Sequence, residues 1–252
     1  MNPKEPCMLL LNDIHISKDN IPDFSLNWNE ALSVCKRMSI QTIVLGGDLF
    51  FSRSSQTLDV LLAVHDALLA ARSMNMDVIL ANGNHDLVNL EAVRGYCHIF
   101  DQHDNVLVID EYHTLSNPEW CFSLHVIPYF PEDGSFRTKL DEVIQNELNI
   151  DKLNYLYIHE GINNALSRPA DRELPANIFG NFDKVFVGHY HNRCTVAPHI
   201  EYIGSARQHN FGEDEEKGYT ILYTDGTTEF IKNRANQRYM VLDIPEDKLD
   251  IH

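Results

Sequence analysis

The chain has 252 residues, 37 acidic and 20 basic, and a formal net charge of −17 at neutral pH. That balance excludes a non-specific nucleic-acid coat protein, which needs a basic surface. A 44% hydrophobic and 23% charged composition excludes a disordered chain. The five cysteines are widely spaced with no C-x-x-C pair, which excludes a thiolate zinc finger and suits a reducing compartment. No apolar run approaches the ~20 residues of a membrane helix, and the first residues lack a signal pattern. The expected compartment is the cytoplasm.

Short apolar runs alternate with amphipathic stretches, the pattern of an α/β fold. Residues 8–12 read as the first strand. Trp28, Leu32, Cys35 and Met38 recur at helical spacing and predict a helix from about 26 to 38. Residues 42–45 form a strand ending at Gly46-Gly47, 57–74 a long helix, and 77–81 a strand ending at Asn82-Gly83. Further strands are predicted at 105–109, 121–127, 155–159 and 184–187, with a helix at 136–149. The last two, 218–223 and 228–231, are joined through Asp225-Gly226. The acidic run 213–216 reads as a solvated loop. One domain is expected over residues 1–235, with 236–252 a tail or the start of a further segment.

Just past five of these strands stand residues suited to metal ions: Asp13-x-His15, Gly46-Gly47-Asp48, Gly83-Asn84-His85-Asp86, His159 and Gly188-His189-Tyr190-His191. In open α/β sheets, loops at strand C-termini converge on one crevice. Residues two apart on extended backbone face the same way, so Asp13 can share an ion with His15, as can His189 with His191. Any one of the 13 histidines could be an ordinary structural residue. Five motifs at the ends of five predicted strands, in order along the chain, point to one site. His65, His98, His103, His113, His125, His199, His209 and His252 lie outside the motifs and are read as structural or surface residues.

The run Asp-x-His, Gly-Asp, Gly-Asn-His-Asp, His, Gly-His-x-His resembles the signature of the calcineurin-like metallophosphoesterases and covers residues 13–191. The resemblance implies a four-layer α/β/β/α sandwich with mixed sheets and two divalent ions at one edge. One ion would be held by Asp13, His15 and His191. The other would be held by Asn84, His159 and His189, with Asp48 bridging both. His85 would face the phosphate and Asp86 would orient His85. Mixed nitrogen and oxygen ligation without thiolate suits Mn, Fe or Zn, and the resemblance favours Mn²⁺.

Gly47-Asp48-Leu49-Phe50 is similar to the second motif of SbcD-type nucleases, which pair with an ABC-type ATPase to process DNA ends. Residues 201–219, including Arg207-Gln208, Phe211-Gly212-Glu213 and Lys217-Gly218-Tyr219, resemble the end of the SbcD catalytic domain and a phage recombination endonuclease subunit. The implied function is hydrolysis of DNA phosphodiester bonds, as an endo- or exonuclease in repair or recombination. The implied partners are DNA, an SbcC-like ATPase subunit and a second copy of the chain, with no membrane. The alternative is an esterase for small nucleotides or phosphoproteins. Two positions depart from the pattern: Ile16-Ser17 stands where Leu-Gly is usual, and Phe51 where several nucleases carry a histidine used in exonuclease action. Arg53, Arg193 and Arg207, with Arg168 and Arg172, lie near motif loops and are candidate substrate contacts.

Overall fold

The computed structural model describes residues 4–90, 94–131, 133–165 and 173–240. In chain order its first half contains β1 (Pro6–Leu11), α1 (Ile21–Met38), β2 (Thr42–Leu45), α2 (Leu58–Ser73), β3 (Asp77–Ala81), β4 (Val106–Ile109), β5 (His113–Ser116) and β6 (Phe122–Ile127). There follow α3 (Ser135–Asn146), β7 (Leu153–His159), β8 (Lys184–Gly188), β9 (Cys194–Ala197), β10 (Ile200–Tyr202), β11 (Gly218–Tyr223) and β12 (Thr228–Lys232).

The strands form two six-stranded mixed sheets, ordered β12-β11-β1-β2-β3-β4 and β5-β6-β7-β8-β10-β9. In the first, β1 to β4 run parallel, with Met8 opposite Thr42 and Thr42 opposite Asp77, while β11 lies antiparallel on the other edge of β1. In the second, β6, β7, β8 and β10 are parallel and the edge strands β5 and β9 are antiparallel.

Alternation along β1 shows the layering. Leu9 and Leu11 pack with Trp28, Leu32, Val60 and Leu68 from α1 and α2. Met8 and Leu10 point the other way, into a core shared with Leu124, Val126, Tyr157 and Phe186 of the second sheet. On that sheet's far face, Leu156, Ile158 and Val185 meet Phe136, Leu140 and Val143 of α3. The order is therefore helix, sheet, sheet, helix, as expected. Both faces of the central strands are covered, which is why they read as continuous apolar runs rather than alternating ones. Burying each such side chain contributes about 1.5–3 kcal/mol.

Helix α1 begins five residues earlier than its periodicity predicts, because Pro22 sits in the first turn, where a missing N–H costs nothing. It stops at Ser39, whose φ of 58° is left-handed, and Ile40 N–H donates to the Cys35 carbonyl. Helix α3 ends at Asn146, short of the predicted 149. Strands β5, β9 and β10 were not anticipated. They have three or four residues each, and β5 and β9 are half-exposed edges without a clear apolar pattern. Beyond β12 the chain folds back: Asn236 Nδ2 donates to the Asp23 carbonyl at 2.7 Å, and Tyr239 N–H to Gln208 Oε1 at 3.0 Å. Residues 241–252 lie outside the described residues. Among the described residues, no helix is long and apolar enough to cross a membrane.

Candidate metal centre

Strands β1, β2, β3, β7 and β8 end at one edge, and the loops leaving them are tied together through backbone. Asp13 N–H donates to the Gly47 carbonyl at 3.0 Å, His15 N–H to the Asp48 carbonyl at 3.0 Å and Ile16 N–H to the Leu49 carbonyl at 2.8 Å. Asp13 and His15 are not on the extended backbone that their spacing suggests. Both are left-handed, with φ of 52° and 48°, as are Asp48 at 53° and His189 at 94°. Conformations of this kind cost about 1–3 kcal/mol each in a non-glycine residue and collect at functional sites. The side chains converge through these turns, not through a strand's pleat. Gly47 is required beside them: its φ is +122°, and a Cβ there would lie 2.3 Å from His159 Nδ1.

Two groups of ligand atoms result, Asp13 with His15 and His191, and Asp48 with His159 and His189, each set lying within 4.8 Å of one another. Asp48 stands between them. Its Oδ2 is 3.5 Å from His15 Nε2 and 3.3 Å from His159 Nε2. Asn84 Oδ1 joins the second group at 3.1 Å from His189 Nδ1. The Asp13 carboxylate also accepts His189 N–H, at 3.2 Å to each oxygen.

The donor set fits a pair of divalent ions. His159 Nδ1–H donates to the Gly46 carbonyl at 3.0 Å, which leaves Nε2 buried without a hydrogen-bond partner. His15 Nε2 and His191 Nε2 face each other at 3.1 Å, an approach that suits lone pairs turned toward a shared cation. Burial holds His15 and His189 down to about 4, so both imidazoles are neutral and ready to ligate. Burial also acts on His159, but the Asp48 and Asp13 carboxylates overbalance it and push that imidazole up to about 10. Burial would raise Asp48; His159 and His15 instead hold it below the usual carboxylate range. A metal cation bound there would displace the extra proton on the His159 imidazole.

His85 lies over this centre. Its N–H donates to Asp48 Oδ1 at 2.8 Å, and its Nδ1–H to the Phe51 carbonyl at 2.7 Å. Asp86, expected to orient His85, is committed elsewhere. Its buried carboxylate accepts Gly83 N–H at 2.7 Å, Phe50 N–H at 2.9 Å and Leu49 N–H at 3.3 Å, locking two motif loops together. Burial and the Asp48 charge push it up to about 7 against the pull of those donors. The orienting group is the Phe51 carbonyl.

No protein-family model matches the chain. It is 25% identical over 206 residues to the SbcD component of the SbcCD nuclease of Staphylococcus saprophyticus, a match covering 71% of this chain and 54% of that protein. The chain thus spans about half the length of that relative. It is 24% identical over 218 residues to a phosphoesterase, 244L, of invertebrate iridescent virus 6, covering 85% of this chain and 75% of that one. In fold it is similar to a dimetal phosphatase from Danio rerio, with a TM-score of 0.55 at 12% identity over 87% of this chain and 93% of the other. These likenesses, in sequence and in fold, support a calcineurin-like metallophosphoesterase.

One loop of the candidate centre was not expected from the sequence. Within the run 213–216, read as solvated, the Glu213 side chain is only 8% exposed, and its Oε1 accepts His191 Nδ1–H at 2.8 Å. Buried Lys217 donates to the His191 carbonyl at 2.6 Å and pairs with Glu213 at 3.3 Å. His209, also set aside, donates from Nε2 to the Asp13 carbonyl at 2.8 Å and packs against His15 and His191. Two signals were available: the break in the acidic run at Lys217, ahead of a strand, and the place of Glu213 and Lys217 in the block 201–219 that resembles the SbcD-type nucleases.

The cleft over the centre has a volume of about 620 Å³. Arg207 lines it but is buried, with Nη2 on the Ile14 carbonyl at 3.4 Å. Arg53 is exposed on the loop after β2. Arg193 does not line the cleft: its guanidinium donates to the Ile203 carbonyl and Thr220 Oγ1 and stacks on Phe230. Arg168 and Arg172 lie outside the described residues.

Proposed function

We propose that this chain is the catalytic part of a two-metal phosphodiesterase that hydrolyses DNA in repair or recombination, working with an ABC-type ATPase of the SbcC kind. The observation that carries this reading is the pair of ligand groups meeting at Asp48. The likeness to an SbcCD nuclease component over 71% of the chain favours DNA as the substrate.

Asp13, His15 and His191 would hold one ion and Asn84, His159 and His189 the other, with Asp48 reaching both. Two divalent ions there, Mn²⁺ by preference over Fe or Zn, would supply the activated water and the charge for an in-line displacement at phosphorus. The Gly46 carbonyl and Glu213 fix the tautomers of His159 and His191, turning their Nε2 atoms toward the ions. The two aspartates leave a local charge of about +2, enough to draw a phosphate into a protein that is anionic overall. His85, held through Nδ1, presents Nε2 to the cleft, where it steadies a phosphate oxygen and protonates the departing one.

The test is to incubate the chain and Mn²⁺ with single-stranded DNA, duplex ends, cyclic nucleotides and p-nitrophenyl phosphate. Cleavage of DNA is expected. Turnover of small esters with DNA untouched, even with the ATPase partner present, would move the reading to a small-nucleotide or phosphoprotein esterase.

A further inference from the structure

Phe51 presents its ring to water, the residue being 58% exposed. Its backbone is held on both sides. The N–H donates to the Ile16 carbonyl at 3.0 Å, and the carbonyl accepts His85 Nδ1–H at 2.7 Å. The ring lines the cleft, its centroid 6.1 Å from that of His15 and 6.3 Å from that of His85. An exposed phenyl ring forfeits the hydrophobic gain of burial, and this one projects from a backbone anchored beside the ligand groups, open to a flat partner. Tyr239 also lines the cleft, 38% exposed, and packs edge-on against Phe211, itself 64% exposed, with centroids 4.9 Å apart.

Charge argues the same way. Among the described residues lining the cleft, Arg207 is the one Lys or Arg, and it is 4% exposed, while Asp19 and Asp23 stand on the wall. Gripping a duplex through its phosphates takes several such cations. This mouth offers aromatic faces instead. Bases stack on aromatic rings once they leave their pairing partners, and the contact tolerates any sequence because every base has a π-face.

We propose that the Phe51 ring stacks on the nucleobase flanking the scissile phosphate, making it a specificity-determining residue that selects an unpaired nucleotide. This rests on the DNA reading above. A phosphopeptide or a simple aryl ester has no base at that position, so the base itself is the variable to test.

The experiment measures kcat/KM of the full chain with Mn²⁺ on a thymidine dinucleotide, which has a single phosphodiester bond, and on versions lacking either base. Phe51→Ala should lower kcat/KM about tenfold on the intact dinucleotide. Removing the flanking base should cost wild type a similar factor. The two changes together should lose little more than either alone, and Phe51→Trp should restore activity. An equal loss for Phe51→Ala with and without the bases, or no loss at all, overturns the stacking role while leaving the nuclease reading intact. Wild type that hydrolyses p-nitrophenyl phosphate but no dinucleotide or oligonucleotide overturns both.

Discussion

Glu213→Gln keeps the shape of a buried side chain and removes its charge. Two donors converge on Oε1, His191 Nδ1 at 2.8 Å and Asn210 Nδ2 at 3.0 Å. Two more reach Oε2, His209 N–H at 3.1 Å and Lys217 Nζ at 3.3 Å. Burial would raise this carboxyl, but the His191 and His209 contacts hold it down at about 2, so the native group is ionised at any working pH. Exchanging a charge-assisted hydrogen bond for a neutral one costs about 1 kcal/mol. Here the loss falls on the basicity of His191 Nε2. Partners behind a metal-binding histidine are worth about 10–100-fold in affinity. Glutamine can still accept from His191 through its one oxygen, although its NH₂ then meets the His209 N–H and Lys217 donors and strains the loop. For His191 the lower figure therefore applies: about tenfold weaker binding of the ion proposed at Asp13, His15 and His191. The ion at Asn84, His159 and His189 should be unaffected. A competition titration with a Mn²⁺-chelating indicator resolves the two. Equal weakening of both ions, or of neither, would refute the assignment of Glu213 to one site.

His85→Gln should bind both ions in the same titration while kcat falls by about 10²–10⁴; undiminished turnover would remove His85 from the chemistry. Asp48→Asn takes the charge from between the two groups and should reduce bound Mn²⁺ from two ions toward one, with kcat at least about a hundredfold lower. Gly47→Ala forces a Cβ within 2.3 Å of His159 Nδ1 at a φ of +122°. It should destabilise the chain by at least about 2 kcal/mol in denaturant titration, and an unmoved midpoint would mean that the loop yields.

The fold was legible where burial writes a pattern. The strands β1, β2, β3, β7, β8 and β11 are apolar on both faces, and Trp28, Leu32 and Cys35 mark α1. Strands β5 and β9 left no such trace, because short edges answer to their neighbours rather than to the core. The positions that converge on the candidate centre were legible because they combine glycine turns with metal-competent residues at strand ends. What the sequence could not carry was how they meet. Asp13 and His15 converge through left-handed turns, and Asp86 serves the backbone instead of His85. Glu213 was hidden by its company: three acids follow it, and nothing local distinguishes a carboxylate buried by His191 from one in water.

The pairing of β11 with β1, Leu9 opposite Ile221, has a consequence for how the molecule is made. A nascent polypeptide emerges with the Met8-Leu9-Leu10-Leu11 segment early, yet the hairpin that covers its free side is translated much later. Until then an apolar strand edge stays open to other chains, an aggregation hazard during synthesis. Asp13 and His15 hang from that same strand, so truncation ahead of residue 218 would be a folding lesion reaching the catalytic pocket rather than the trimming of a dispensable end.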